Sequence, residues 1–206
     1  MRNGTEIMGK FRKRRAGLWA FRRPRHGLVA LLGLLVLARP AFCEDKPSVS
    51  RAYQIKAAYL YNFTKFVEWP PQRFPDLSDP IVIGVLGWNG NPFGDELSNL
   101  VRGRKVGGRL VVVKNVETPA EAGAVHVLFV STGLEQRWAK EVQSARSAGV
   151  LTVGESEPFF AAGGIITFVL KEDKVLFEIN LDASEKAGLK LSAQLLKLAV
   201  AVHRKS

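Results

Sequence analysis

Four short runs of apolar residues constrain the fold of this chain more than any other feature of its sequence. The runs are residues 81–86, 125–130, 150–153 and 165–170, and the last three contain one polar residue each, which are His126, Thr152 and Thr167. A strand that is apolar along its whole length is typical of a parallel sheet covered on both faces, whereas a strand with one solvated face alternates apolar and polar residues. The runs therefore predict a sheet enclosed between two layers.

Helical patterns alternate with these runs. An amphipathic stretch at residues 53–71 ends in a Trp-Pro-Pro stop, and further helices are predicted at residues 131–147 and 192–202. A tight polar turn at residues 171–174 separates two β-rich segments, which indicates a hairpin. Together these patterns predict an α/β fold, a three-layer sandwich with a mostly parallel sheet, an antiparallel C-terminal hairpin and helices on both faces.

The positive charge of the chain is concentrated at its beginning. The full chain has a formal net charge of +11, but residues 1–43 contain 10 Lys and Arg residues against one acidic residue, and residues 44–206 contain 20 against 18. A nearly neutral domain lacks the cationic footprint of a nucleic-acid-binding protein. Nucleic acid is therefore not expected as a partner.

Residues 1–43 have the layout of an export signal. A cationic stretch precedes an apolar run of twelve residues at 27–38, which is shorter than the roughly 20 residues that span a bilayer. The sequence thus predicts a cleavable signal peptide at residues 1–43 and a single exported domain at residues 44–206. No direct membrane insertion is expected after cleavage.

The cleavage site is predicted near Cys43 and Glu44, because Ala41 and Cys43 are small residues of the kind found at such sites. Cys43 is the only cysteine, so the mature domain would contain neither a thiol nor a disulfide. The Sec and twin-arginine export routes both stay open. Met1 and Met8 are alternative start residues.

The sequence carries no clear catalytic constellation. A catalytic site needs a nucleophile with a base, a pair of tuned carboxylates or a set of metal ligands. His126 lies inside an apolar run, where a lone histidine is more often a core residue with satisfied hydrogen bonds. A hydrolase that uses His126 with Glu155 or Glu178 is the minor alternative. We therefore predict a protein that is not an enzyme and has neither a metal site nor a cofactor.

The loops that follow the predicted strands are the best candidates for a binding site. In open α/β sheets, ligands bind in the crevice beyond the carboxyl ends of parallel strands. The polar and aromatic residues of these loops form a candidate small-molecule site that consists of Trp88, Asn89, Asn91, Ser131, Thr132 and Ser156. The cationic turn at residues 102–109 is a second candidate surface for anions, although a charged turn is usually only solvated.

One charged residue interrupts the apolar face of the first helix. Lys56 lies within the apolar arc, and Asn62 lies at its margin. Either the lysine stem covers apolar surface while its ammonium group reaches water, or the ammonium group is partly buried beside an acidic partner or a ligand. The helical pattern alone leaves both interpretations open.

Four blocks of sequence resemble the YfiR family of bacterial periplasmic proteins. They are KAAYLYNFTKFVEWP, IVIGVLGWNGNPF, AVHVLFVS and GVLTVGESEPFFAAGGIITFVLKEDKVLFEINLDASEKAGLKLSAQLLKLA, and the resemblance spans roughly residues 53–201. It implies a regulator that binds the periplasmic part of an inner-membrane diguanylate cyclase, or of a sensor kinase, and restrains cyclic-di-GMP signalling. Some members of the family have cysteine pairs in the mature domain. Because this chain has none there, a redox-controlled mechanism is not expected.

The resemblance also gives roles to particular residues. A regulator that occupies a partner needs exposed side chains, and aromatic residues are common anchors. The candidates for a partner surface are Tyr61, which falls off the apolar arc, Trp69 and Phe74. Lys56 and Asn62 lie in one matching block, which favours an internal role for both. The Lys56 ammonium group is expected to pair with an acidic residue, with Glu178 in another block as the first choice.

The sequence leaves one alternative function open. This is a periplasmic small-ligand-binding protein, for a nucleotide or an amino acid, without an obligatory protein partner. The oligomeric state is also open, and a homodimer is one of the alternatives.

Overall fold

The computed structural model describes residues 49–204 of the chain, apart from Gly90. The predicted signal peptide at residues 1–43 and its boundary with Glu44 lie outside the described residues. Glu44–Ser206 form a compact unit of their own. Every contact described below lies within that unit.

Eight strands of the described residues form a mixed sheet at the centre of the domain. Its strands are β2 (Ile81–Leu86), β3 (Lys105–Val106), β4 (Arg109–Val116), β5 (Val127–Val130), β6 (Leu151–Gly154), β7 (Ile166–Lys171), β8 (Lys174–Asn180) and β10 (Ala201–His203). Their spatial order is β10-β8-β7-β6-β5-β2-β4-β3. A separate antiparallel pair consists of β1 (Val67–Glu68) and β9 (Lys190–Leu191).

The strand pairing confirms the predicted sheet. β4, β2, β5, β6 and β7 are parallel neighbours, and β7 and β8 form the antiparallel hairpin. Lys171 pairs with Lys174, so the turn consists of Glu172 and Asp173, whose φ angles are 49° and 58°. Positive φ angles at both turn positions belong to a type I′ turn, which matches the twist of a two-residue hairpin. β2, β5 and β6 are buried along their whole length.

Helices cover both faces of the sheet and complete the three layers. Those in the described residues are α1 (Val49–Phe66), α2 (Phe93–Val101), α3 (Pro119–Ala124), α4 (Ala139–Ser147), α5 (Glu157–Ala161), α6 (Leu181–Lys186) and α7 (Ala193–Leu198). The larger hydrophobic cluster contains Phe63 of α1 and Leu97 of α2, packed on one face of the sheet. The smaller cluster contains Val142 of α4 and Phe159 of α5, packed on the other face.

Three predicted helices differ in extent from those observed. The helix predicted at residues 53–71 ends at Phe66, because the chain leaves the helix there and pairs with β9. The helix predicted at residues 192–202 ends at Leu198, because β10 joins the sheet beside β8. The helix predicted at residues 131–147 begins at Ala139, after a series of turns. In the first two cases, pairing with a distant strand overrides a locally helical pattern.

The segment after α1 packs against the amino-terminal edge of the sheet. We call residues 69–74 the strap. Trp69 donates from Nε1 to the carbonyl oxygen of His126 at 3.1 Å, and Phe74 stacks on the His126 ring with 4.4 Å between the ring centroids. The strap therefore covers the point where the chain enters β5.

Arg73 is the polar centre of the strap. Its guanidinium group donates to the carbonyl oxygens of Gly123 at 3.0 Å, of Ala148 at 3.2 Å and of Val125. These carbonyl groups lie at the ends of α3 and α4 and just before β5. One side chain thus joins two segments that are distant from it in sequence, residues 123–125 and Ala148.

The structure confirms His126 as a core residue with satisfied hydrogen bonds. The residue is 5% exposed, its Nδ1 accepts from the backbone N–H of Val82 at 3.1 Å, and its Nε2 lies 3.0 Å from the carbonyl oxygen of Arg73, to which it donates. Burial lowers the pKa of the ring, which favours the neutral form. The suggested hydrolase pairing is wrong. His126 precedes β5, whereas Glu155 follows β6 at the opposite edge, and Glu178 lies in β8, three strands from β5.

Two glycines make room for a buried phenylalanine between α5 and the sheet. The Phe159 side chain is 1% exposed. A Cβ atom on Gly154 would lie 2.4 Å from Cγ of the ring, and a Cβ atom on Gly164 would lie 2.0 Å from its Cε1. Cβ atoms in proteins essentially never approach another heavy atom within 3.0 Å, so both positions require glycine as long as the ring stays in place.

Candidate functional site

A cleft opens at the carboxyl-terminal edge of the sheet, where the β7–β8 hairpin extends beyond β6. β6 ends at Gly154, opposite Thr167, whereas β7 continues to Lys171. α1 lies across this hairpin, with the Tyr59 ring 5.3 Å from that of Phe177. The cleft has a volume of about 190 Å3. It is lined by Ala52, Lys56, Thr132, Glu155, Phe168, Val169, Leu170 and Val175.

An ion pair lies at the polar end of the cleft. Lys56 Nζ is 2.6 Å from Glu155 Oε1, and Thr132 Oγ1 donates to Glu155 Oε2 at 2.6 Å. The Lys56 and Glu155 side chains are 18% and 14% exposed, so the pair is largely removed from water. Lys56 comes from α1, Thr132 from the loop after β5 and Glu155 from the loop after β6.

The cleft has the composition of a small-ligand site. Sites of this kind combine mostly apolar walls with a few convergent polar groups. Here the walls include Phe168 and Leu170, and the polar end offers an ammonium group, a carboxylate and a hydroxyl group. Lys56 could bind an anionic group, and Glu155 could bind a cationic group or a hydrogen-bond donor, each in exchange for its present partner.

The structure confirms that Lys56 has an acidic partner, but the choice of Glu178 is wrong, because the partner is Glu155. Successive side chains of a strand point to opposite faces of a sheet. Phe177 packs on α1, and the next residue, Glu178, therefore points away from α1. Its carboxylate lies 2.9 Å from Nε2 of His203.

Two further residues differ from expectation. Asn62 was expected to have an internal role, but its Oδ1 accepts a hydrogen bond from Lys65 Nζ at 3.0 Å on the surface of α1. Sequence reasoning misses Glu155 because a loop carboxylate is ordinarily solvated. The position of Glu155 could have indicated its role. It directly follows a buried strand and precedes Ser156, which the sequence does predict at the ligand-binding edge.

One of the six residues predicted to bind a ligand lines the cleft, namely Thr132. The other five make local contacts or are buried. Trp88 donates to Asp95, Asn89 donates to Glu117, Asn91 accepts from the N–H of Phe93, Ser156 accepts from the N–H of Phe159, and Ser131 is buried. Ligand binding by these five residues stays a prediction, and the structure brings none of them to the cleft.

The three aromatic residues predicted as a partner surface all pack against the domain. Tyr61 is 8% exposed and lies beneath Lys65 and Arg104, whose cationic groups are 4.3 and 5.1 Å from its ring centroid. The expected exposure of Tyr61 is therefore wrong. Trp69 and Phe74 are half-buried in the strap, and a role for them in partner binding stays a prediction.

In the part of the chain that the structure describes, no group of three or more His, Cys, Asp and Glu side chains is arranged to hold a metal ion. No helix within the same residues has the length and apolar character needed to cross a membrane.

Several solved structures are similar to this chain at low sequence identity. A conserved domain protein from Vibrio cholerae is 13% identical with a TM-score of 0.49, and the match covers 71% of this chain and 60% of that protein. The ABC domain in complex with L-Trp from Streptococcus pneumonia is 13% identical with a TM-score of 0.46, and the match covers 74% and 60%. CD0873, a substrate binding protein with adhesive properties from Clostridium difficile, is 14% identical with a TM-score of 0.46, and the match covers 77% and 60%. The chain thus spans 60% of the length of each of these proteins.

None of the curated proteins compared with the chain matches it. A family model described as YfiR/HmsC-like matches residues 53–200, which is well over half of the 206 residues. The matched region runs from α1 through α7 and includes both sides of the cleft. The chain therefore belongs to the YfiR/HmsC-like family of periplasmic regulatory proteins.

Proposed function

We propose that the protein is a periplasmic signalling regulator that binds the periplasmic part of an inner-membrane diguanylate cyclase, or of a sensor kinase, and restrains cyclic-di-GMP signalling. The observation that carries this proposal is the family match over residues 53–200. The export signal predicted at residues 1–43 supports the periplasmic location.

The C-terminal edge of the sheet is the surface that best fits a protein partner. β10 pairs with β8 on one side, and no strand among the described residues pairs with its other side. Beside this open edge, the side chains of Leu198, Val200 and Val202 are 58%, 43% and 42% exposed. A free strand edge with exposed apolar side chains is a surface to which another chain can add. We expect the signalling partner to bind there.

The test measures cyclic-di-GMP in cells that lack the protein and express variants in its place. Deletion should raise the cyclic-di-GMP level, and the wild-type protein should restore it. Val202→Glu should weaken partner binding by about thirtyfold or more, as for a hot-spot residue, and should fail to restore the level. Leu77→Glu is the matched control, because Leu77 is 92% exposed and lies in a loop bonded to β4, away from β10.

Two results would contradict different parts of this proposal. If deletion leaves cyclic-di-GMP unchanged and crosslinking in membranes captures neither a cyclase nor a sensor kinase, the regulatory function is wrong. If Val202→Glu and Leu77→Glu restore the level equally well, the function stands but the C-terminal edge is not the binding surface.

The cleft favours a second function, which is the binding of a small ligand such as a nucleotide or an amino acid. Lys56 and Glu155 place opposite charges beside apolar walls, and this combination suits a molecule that has an apolar body and charged groups. Such a protein would need no obligatory protein partner.

Thermal unfolding with a panel of amino acids and nucleotides tests the second function. A ligand present at a hundred times its Kd stabilises the folded state by about 2.7 kcal/mol, which raises the Tm of a domain of this size by about 5–10 °C. Lys56→Met should abolish the shift, whereas Lys65→Met, on the exposed side of the same helix, should retain it. If no compound in the panel shifts the wild-type Tm, the second function is wrong.

A further inference from the structure

Four exposed cations gather at the amino-terminal edge of the sheet, opposite the cleft. We call them the basic corner. They are Lys65 at the end of α1 and Arg102, Arg104 and Lys105, which lead from α2 into β3. Lys65 Nζ and Arg104 Cζ lie 4.3 and 5.1 Å from the centroid of the Tyr61 ring. Cations from two separate elements are thus held over one aromatic ring.

No carboxylate of the described residues is paired with the basic corner. Lys65 donates to the amide oxygen of Asn62, and Arg102 donates to the amide oxygen of Asn99, both of which are neutral groups. The ion pairs elsewhere join Lys56 to Glu155, His203 to Glu178 and Arg204 to Glu185. Because like charges at short range repel each other, an external anion would stabilise this arrangement.

The four charges of the basic corner exceed the net charge of the domain. Residues 44–206 contain 20 Lys and Arg residues against 18 acidic residues. Without the four cations of the basic corner, 16 cations remain against the same 18 acidic residues. The corner is therefore a local concentration of positive charge on a domain whose other charges sum to a weakly negative value.

An exposed apolar side chain lies directly beside these cations. Lys105 pairs with Leu110 across β3 and β4, and Leu110 is 46% exposed. The connection between these strands contains Gly107 and Gly108, whose φ angles are 57° and 84°, and it forms a projecting turn. A projecting turn with cations and one apolar side chain is suited to the boundary between headgroups and acyl chains of a lipid leaflet.

We propose that the basic corner binds the anionic phosphate headgroups of a lipid bilayer. A protein interface needs a buried apolar centre as well as charges, and among the described residues of the corner Leu110 is the one large apolar side chain that is exposed. A flat surface of many anions can contact all four cations at once without such a centre. The corner would turn the amino-terminal edge of the sheet toward the membrane and leave the cleft facing away from it. This inference does not depend on the identity of the signalling partner.

Co-sedimentation with vesicles tests the proposal. The assay uses residues 44–206, because both hydrophobic clusters lie within this compact unit. Residues 1–43 are left out because their cations would add vesicle binding of their own. The vesicles are phosphatidylcholine alone and phosphatidylcholine mixed with phosphatidylglycerol. The wild-type domain should bind the mixed vesicles and not the neutral ones, and the binding should weaken as salt is raised.

The decisive variant is Arg104→Glu/Lys105→Glu, and its matched control is Lys171→Glu/Lys174→Glu, which removes the same charge from the exposed β7–β8 hairpin. Binding should weaken about thirtyfold or more in the first variant, from about 1 kcal/mol for each lost cation, and change little in the control. The Tm of each variant shows that both are folded.

Several outcomes would overturn the proposal. The proposal is wrong if the wild-type domain does not bind the mixed vesicles at low salt. It is also wrong if the two double variants lose vesicle binding equally. If dissolved glycerol phosphate abolishes vesicle binding at millimolar concentration, the site binds a soluble phosphate ligand instead. Binding of an acidic protein domain through the same cations, with no binding to vesicles, would also reject the lipid surface.

Discussion

Replacing Arg73 with methionine is expected to lower the free energy of unfolding by about 3 kcal/mol, which corresponds to a decrease in Tm of about 6–12 °C. The substitution removes the three hydrogen bonds from the guanidinium group to carbonyl oxygens near the ends of α3 and α4 and before β5. Methionine keeps most of the apolar stem and its packing. The expected loss therefore reports the hydrogen bonds of the strap rather than a cavity.

Urea unfolding measures the effect of the Arg73 substitution. Arg137→Met is the matched control, because Arg137 is exposed, and it should change the free energy of unfolding by less than about 0.5 kcal/mol. If Arg73→Met is as stable as Arg137→Met, the guanidinium group does not stabilise the fold and the strap is held by its aromatic residues alone.

Gly164→Ala is expected to destabilise the domain by about 2–4 kcal/mol, as in other overpacked cores. The new Cβ atom would lie 2.0 Å from Cε1 of Phe159. The ring cannot move freely away from it, because Gly154 approaches it as well and the side chain is 1% exposed. Either the ring leaves its position or α5 shifts from the sheet, and both changes disrupt the smaller hydrophobic cluster.

Gly123→Ala is the control for this substitution. Gly123 lies in α3, and a Cβ atom there would meet nothing within 4 Å, so the change should be neutral or stabilise the domain by up to about 1 kcal/mol. Combining Gly164→Ala with Phe159→Leu should cost less than the sum of the two single substitutions, because the smaller side chain relieves the clash. Additive losses in the double variant would show that Gly164 is required for another reason.

The apolar runs were sufficient to predict the central sheet, because burial on both faces is a property that each strand shows by itself. The C-terminal end was not predictable in this way. Leu198 and Val202 fit a helical spacing, whereas Val200 and Val202 fit the spacing of a strand. Pairing with β8 decides between a helix and a strand, and this pairing cannot be predicted from the local sequence.

The residues of the cleft were also only partly predictable from the local sequence. The position of Lys56 inside an apolar arc was enough to predict a partner for its charge, since an unpaired buried ammonium group is costly. The choice between Glu155 and Glu178 depends on which face of the sheet each carboxylate points to and on where each strand ends. Both depend on strand register, which the helical pattern of α1 cannot supply.

The packing of α1 also determines the order in which this domain can fold. Tyr59 and Phe63 of α1 contact Phe168 and Phe177, which are more than a hundred residues further along the chain, and β1 pairs with β9. Contacts of such long sequence separation form late and slow the folding rate. During synthesis or export from the amino terminus, α1 can pack on α2 early, through Tyr53 and Phe93, but Tyr59 and Phe63 stay without their partners until the last third of the domain has followed. The first helix of the described residues is therefore fully buried only after the C-terminal strands have formed.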